Sequence, residues 1–208
     1  MKKINLKIVI LAASLLMYQT TLTQVWGESF FTFNYSPSLP TATLKDFIDK
    51  PSWISFRVDF MNDIKNQWSA GFGVGYTRFY DRLPRTVFQE GNNDISAVQT
   101  RQIELIPLVA KATYVNKSNP SVHFYAGVGM GVGFVSYDKL WGVYDDSNNK
   151  TSFRFCFEPV VGAFIRPGKN TRVRIHTGLS YMFVPYESSD INYISYLALN
   201  LGIRIPAR

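Results

Sequence analysis

The 208-residue chain has one cysteine, two histidines and few charged residues, and each scarcity excludes a class of protein. Cys156 cannot form an internal disulfide, so the fold must hold without covalent cross-links. His123 and His176 have no cysteine pair and no acid at ligand spacing, so we expect no metal site and no cofactor. Beyond the N-terminus no stretch approaches the roughly 20 apolar residues of a membrane-spanning helix. Bundles of such helices are therefore excluded.

Aromatic residues are abundant, at 15% of the chain, beside 46% hydrophobic and only 18% charged residues. This composition excludes a disordered chain. Strands and membrane interfaces both favour Phe, Tyr and Trp. The glycine series 127–133 does not fit a G-x-G-x-x-G phosphate loop, because Val132 and Phe134 stand where the last glycine would have to be. The excess of aromatic residues therefore indicates strands or a membrane surface.

The first 27 residues predict a secretory signal peptide. Three lysines precede an apolar run from Ile8 to Met17, and Gly27 offers a small residue at a cleavage point. The run is shorter than a bilayer-spanning helix, which disfavours a membrane anchor. We expect export, cleavage near Gly27 and one domain over 28–208. That domain carries 19 Lys and Arg against 15 Asp and Glu, a charge of +4 without a dense basic run, so no nucleic-acid partner is expected.

The exported chain repeats the two-residue period of β-strands about eight times. In the last segment bulky apolar residues share one face and small or polar residues the other: Leu197, Leu199, Leu201, Ile203 and Ile205 against Ala198, Asn200, Gly202 and Arg204. Two segments, 68–76 and 122–134, alternate large residues with glycine. The bulky faces run for about 9 to 11 residues, enough to cross a bilayer as tilted strands. A soluble lipocalin-like barrel, with its apolar face turned inward, is the alternative.

The connections between these segments alternate strictly between long and short. Long links at 37–51, 81–98, 138–150 and 185–192 alternate with short links at 62–66, 116–120 and 167–170. An up-and-down barrel with long extracellular loops and short periplasmic turns has this pattern. Closure is required because an open sheet edge in lipid leaves backbone groups unpaired.

Three motifs carry a resemblance to a known family: Gly-x-Gly-x-Gly-x-Gly at 127–133, Phe-Glu-Pro at 157–159 and the terminal Leu-Asn-Leu-Gly-Ile. With the signal peptide and the eight alternating segments, the chain resembles bacterial outer-membrane β-barrel domain proteins, the small OmpX/OmpW-like barrels. The resemblance implies an all-β fold, an eight-stranded antiparallel up-and-down transmembrane β-barrel in the outer membrane. It also implies outer-membrane lipid and the insertion machinery as partners. We expect a monomer.

The phase of the alternation sends charged residues into the lumen: Arg57, Asp59, Glu104, Lys111, Arg154, Glu158, Arg172, Arg174 and Arg204. Eight strands enclose a space that side chains can fill, so we expect paired charges that plug the lumen. Among these charges, Arg154 and Glu158 are the two that we most expect to form an ion pair. The odd spacing from Glu104 to Lys111 puts one of them into lipid unless a β-bulge intervenes, and we predict that bulge near Ile106 and Pro107.

Three functions fit this reading. The first is a non-enzymatic membrane protein whose long extracellular loops serve surface interaction or membrane integrity, with candidate contacts at Phe88, Leu140, Trp141 and Tyr144. The second is a narrow conduit or binding site for small hydrophobic molecules. The third is a lipid A-modifying barrel enzyme using His176, Ser180 and Glu158. The third is disfavoured because residues four apart on one strand lie roughly 13 Å apart, too far for direct proton transfer.

Overall fold

The structure, a computed structural model, describes residues 27–64, 67–90, 93–142, 144–145, 151–168, 171–188 and 191–207. Within these ranges the side chains of 88–95 and 144–145 are not described. Apart from Gly27, the expected signal peptide lies outside the described residues and stays a prediction. No helix in the described ranges is long and apolar enough to cross a membrane.

The described residues form strands joined by short links and one helix: β1 (Ser29–Tyr35), β2 (Ser38–Pro40), α1 (Ala42–Phe47), β3 (Ile54–Asp63), β4 (Trp68–Glu90), β5 (Asn93–Asn116), β6 (Val122–Trp141), β7 (Tyr144–Asp145), β8 (Ser152–Ile165), β9 (Arg174–Pro185) and β10 (Tyr193–Ala207). Strands β1, β3, β4, β5, β6, β8, β9 and β10 pair antiparallel in chain order, and β1 closes the ring on β10. The short β2 pairs with β10, and β7 pairs with the end of β6. The predicted eight-stranded up-and-down barrel is confirmed.

The two-residue period of each strand places alternate side chains on the exterior and in the lumen of the barrel. In β1 Phe31 and Phe33 are 40% and 46% exposed, whereas Thr32 and Asn34, which alternate with them, are buried. The other strands repeat this division: large apolar side chains cover the exterior, and buried polar side chains such as Arg57, Asp59 and Glu158 face inward. A soluble barrel has the opposite arrangement. A continuous apolar exterior is stable in contact with lipid, as the bulky faces predicted.

Strands β4 and β5 are far longer than expected. They contain 23 and 24 residues, about twice the 9 to 11 that cross a bilayer. The segment 81–98, which we predicted as a loop, is mostly the upper part of their hairpin. Beyond the membrane no lipid imposes an apolar face, so the alternation that marks a strand in the sequence fades while the backbone pairing continues.

The predicted β-bulge at Ile106 and Pro107 is wrong. The register of β5 with β6 is continuous from Gln99 to Asn116, and its register with β4 is the same on both sides of Pro107. The register shift lies instead between Leu83 and Thr86, in the upper hairpin. Lys111 faces the lumen without a bulge, and Glu104 consequently points outward.

The link between β1 and β3 folds into the barrel. Leu44 of its helix α1 and Ile48 directly after the helix are completely buried, and the ring of Phe47 stacks on Tyr137 with centroids 5.3 Å apart. The Arg101 guanidinium donates to the Phe47 carbonyl at 2.8 Å, and the Thr41 amide donates to the Ser195 carbonyl at 3.0 Å. The helix joins one apolar cluster with inward-facing residues of the barrel: Phe79, Ile103, Leu105, Val109, Val135, Tyr137, Cys156, Met182, Val184, Tyr186, Ile191, Ile194, Tyr196 and Ala198.

The close approach of β6 to β5 at Gly131 gives a test of the barrel wall. A Cβ at Gly131 would lie 2.0 Å from the Leu108 carbonyl oxygen and 2.8 Å from the Val109 Cα, so backbone would have to move. We expect Gly131→Ala to lower the free energy of unfolding by about 1–3 kcal/mol. Denaturant unfolding of the micelle-bound protein, followed by tryptophan fluorescence, measures it. Ala126→Val, which adds bulk to an exposed, outward-facing position of the same strand, is the control. An unchanged midpoint for Gly131→Ala would contradict the packing described.

Candidate functional site in the barrel lumen

Four buried charged residues from three strands meet in the middle of the lumen and form the central charge cluster. Arg57 and Asp59 come from β3, Lys111 from β5 and Glu158 from β8, and each side chain is at most 8% exposed. The Lys111 Nζ lies 2.7 Å from an Asp59 oxygen and 3.6 Å from a Glu158 oxygen. Arg57 bonds Glu158 through Nη1, and its Nε lies 3.3 Å from Asp59. Two cations therefore neutralise two anions, as burial requires.

The sequence makes room for this cluster with glycine. Gly129 is paired with both Lys111 and Glu158 across the sheet, on its two sides. A Cβ at Gly129 would lie 3.3 Å from the Glu158 carboxylate and 3.3 Å from Lys111 Cγ. The inward-facing glycines predicted from the alternation in 122–134 thus leave the space that long charged side chains occupy.

Hydrogen bonds extend the cluster towards β1 and β9. His176 bonds the Tyr125 hydroxyl through Nε2 and the Asn34 side chain through Nδ1. The Asn34 amide in turn donates to Asp59 at 3.3 Å. A cavity of about 30 Å³ borders these groups, and it offers space for about one water molecule. The cavity lies against the charged side chains of Arg57, Asp59 and Lys111.

The expected pair of Arg154 with Glu158 does not form. Arg154 is exposed at the extracellular end of β8, where its guanidinium lies 5.5 Å from the centre of the Tyr186 ring. Positions four apart on one strand are roughly 13 Å apart, beyond the reach of an ion pair between inward-facing side chains. The partners of Glu158 come from β3 and β5 instead.

Glu104 lies on the outer face of the barrel, so its predicted place in the lumen is wrong. Its carboxylate accepts a hydrogen bond from Gln102 at 2.9 Å and lies 3.5 Å from the Arg78 Nε. Arg78 also lies 5.9 Å from the centre of the outward-facing Tyr80 ring. This group is on the long upper part of the hairpin, about 12 residues above the periplasmic end of β5. At that height an outward charge meets headgroups and water, so no bulge is needed.

The three remaining arginines that were predicted in the lumen lie at the periplasmic end, and only two of them face inward. Arg172 precedes β9 and is exposed, which contradicts its predicted place inside the lumen, because the strand begins only at Arg174. Arg174 faces inward and bonds the ring of His123. Arg204 donates to Asp63 at 3.1 Å, and its guanidinium carbon lies 3.8 Å from the centre of the Phe30 ring.

The candidate loop contacts are placed differently from the expectation. Trp141 is only 6% exposed and Leu140 is half-buried, so the Trp141 ring is not available to a partner. The side chains of Phe88 and Tyr144 lie outside the described part of the chain. Lys50 and Asp81 form an ion pair of 2.6 Å at this end, which no sequence pattern indicated. The Asp81 carboxylate raises the pKa of Lys50.

The lumen does not assemble the catalytic group considered for an enzyme. Both ring nitrogens of His176 are engaged by Tyr125 and Asn34, and Ser180 accepts a hydrogen bond from Asn200 at 3.0 Å. Glu158 is bound by Arg57 and Lys111. Among the described residues, no three His, Cys, Asp or Glu side chains gather where they could hold a metal ion.

A closed eight-stranded antiparallel barrel with an apolar exterior and a charged interior defines the class: this protein is an outer-membrane β-barrel. No protein-family model and no curated protein matches the chain. Among solved structures it is similar to the Neisserial surface protein A, at 19% identity and a TM-score of 0.57, over 87% of this chain and 99% of that one. This likeness confirms the predicted fold of the small eight-stranded outer-membrane barrels.

Two further structures match with lower TM-scores. The attachment invasion locus protein Ail of Yersinia pestis, in complex with the heparin analogue sucrose octasulfate, is 17% identical, with a TM-score of 0.47 over 86% of this chain and 99% of that one. The outer membrane protein AlkL in lipid bilayers is 17% identical, with a TM-score of 0.41 over 88% of this chain and 90% of that one.

Removing one anion from the central charge cluster tests its role in stability. Glu158→Ala leaves Arg57 and Lys111 with Asp59 as their only anion in the cluster, and we expect a loss of about 3–5 kcal/mol in the free energy of unfolding. The exposed acid Asp46 on α1 is the control, and Asp46→Ala should change stability by less than about 0.5 kcal/mol. Denaturant titration in detergent compares the two variants. Small and equal effects would mean that the lumen is hydrated and the pairs are weak.

Proposed function

We propose that this protein is a non-enzymatic outer-membrane barrel whose lumen is closed and whose extracellular end serves surface interaction or membrane integrity. The observation that carries the proposal is the burial of α1 among the inward-facing residues at the extracellular end. Leu44 of the helix and Ile48 directly after it have no exposed surface, which supports a helix that blocks the barrel at this end. An eight-stranded barrel encloses a space that side chains alone can fill.

The central charge cluster supplies a second layer below the helix. Its four side chains are held by ion pairs across the lumen, from β3 to β8 and from β3 to β5. Moving an ion through this layer would require these pairs to separate inside a buried site, which costs several kcal/mol. Two independent layers therefore support a barrel that conducts poorly.

The upper hairpin supports a role at the cell surface. Strand β3 begins at Ile54 opposite Arg78, so residues 79–90 of β4 extend beyond their neighbour on that side. Val87 is 67% exposed there, and Arg82 and Arg85 are exposed as well. A projecting hairpin with an exposed apolar residue and two exposed cations on one strand is suited to contact another molecule. Ring closure between β1 and β10 supports a monomer in the spanning region, surrounded by outer-membrane lipid and inserted by the general machinery.

A groove in the outer wall favours a second candidate, a binding site for small hydrophobic molecules. It has a volume of about 330 Å³ and lies where β1 ends and β2 begins, lined by Pro37, Ser38, Leu39, Pro51, Trp53, Leu179, Leu197 and Leu199. Quenching of tryptophan fluorescence by an added brominated alkane, compared between the parent and Trp53→Leu, would detect occupation of this groove.

Single-channel recording in planar bilayers tests the closed lumen. We expect the parent protein to give no steady conductance and Leu44→Asp to give one, because a buried carboxylate would drive α1 out of the barrel. Lys45→Asp, at an exposed position of the same helix, should stay closed. A large steady conductance in the parent would overturn the proposal.

An unchanged lipid A mass spectrum with and without the gene is expected for a protein that is not an enzyme.

A further inference from the structure

Three arginines lie side by side on adjacent strands at the periplasmic end of the barrel and form the arginine row. Arg174 of β9 and Arg204 of β10 are direct cross-strand partners. Ile165 of β8 pairs with Ile175, and the antiparallel register therefore places Arg166 beside Arg174. The row lies close to the end of β10 at Ala207, on the side of the short turns.

Like charges directly opposite on paired strands repel one another, and little in the protein offsets this repulsion. The nearest described acid, Asp63, accepts from Arg204 at 3.1 Å but also from Lys117 at 2.7 Å. Glu28 is exposed in front of β1. The other charged or titratable groups that the structure describes at this end, Lys117, Arg172 and His123, supply no negative charge. The described part of the periplasmic mouth therefore holds more positive than negative charge.

The row also contains hydrogen-bond donors that the protein leaves unused. The Arg204 side chain is only 5% exposed, and its Nε has no hydrogen-bond partner among the described residues. The same holds for the Nε of Arg166. Arg204 is held between the rings of Phe30 and Phe164, at 3.8 and 4.4 Å from its guanidinium carbon. The position of this guanidinium is therefore fixed before any ligand arrives.

We propose that the arginine row binds a phosphate group at the periplasmic mouth of the barrel. The planar forks of several guanidinium groups suit the oxygens of a phosphate, which would also relieve the repulsion between Arg166 and Arg174. The open space on the lumen side of Arg204 is only about 30 Å³, so the anion enters from the periplasm. Inorganic phosphate and the headgroup of a periplasmic-leaflet phospholipid share this chemistry.

Thermal unfolding of the detergent-solubilised protein in sodium phosphate and in sodium chloride of equal ionic strength tests the site. We expect phosphate to raise the midpoint of the parent, because a ligand that binds the folded state stabilises it. Arg174→Gln should lose this response, and its midpoint without phosphate should equal or exceed that of the parent because one repelling charge is gone. Arg85→Gln, exposed on the upper hairpin, is the control and should respond like the parent.

Isothermal titration calorimetry distinguishes the two sources of phosphate. Arg174→Gln should bind inorganic phosphate at least tenfold more weakly than the parent. Tighter binding of a short-chain phosphatidylglycerol than of inorganic phosphate would assign the site to a headgroup, and the reverse order would assign it to the free anion. Equal midpoints of the parent in phosphate and chloride would overturn the proposal, as would an undiminished phosphate response in Arg174→Gln.

Discussion

Every feature of this molecule depends on the closure of β1 onto β10. A sheet in lipid must pair all of its backbone donors and acceptors, because no water is present to replace a missing partner. The seven residues of β1 pair with β10 on one side and with β3 on the other. Once the ring is closed, one face of each strand contacts lipid and the other faces the lumen. Within the membrane every side chain therefore lies in one of these two environments.

A closed ring of eight strands leaves an interior so narrow that its contents must pack in layers. Near the extracellular end the layer is apolar, with α1 among aromatic and aliphatic side chains. In the middle it is ionic, with the central charge cluster bridging opposite walls. At the periplasmic end Arg204 lies between Phe30 and Phe164. Each layer meets the same requirement by different chemistry, since a buried group must be either apolar or partnered.

The sequence predicted orientation wherever the bilayer constrains it. Phe31, Phe33 and Thr32 face as their alternation indicated, because lipid on one side and a packed lumen on the other penalise any exchange. The same reasoning failed for Glu104, whose outward position lies on the part of the hairpin that rises beyond the bilayer. It failed for segment 81–98 as well, because a paired strand in water needs no apolar face. Errors thus concentrate where the membrane stops acting on the chain.

The sequence by itself determined the number of spanning strands, their order, their direction and, within the bilayer, the side chains that face inward, because these follow from a local period and from the lengths of links. Only the tertiary structure decided which inward charges meet. Glu158 pairs with Arg57 from across the lumen and not with Arg154 on its own strand, since contact depends on the height at which different strands present their side chains. The position of α1 was also decided there, because a helix of six residues leaves no periodic signal and is held only by the barrel around it.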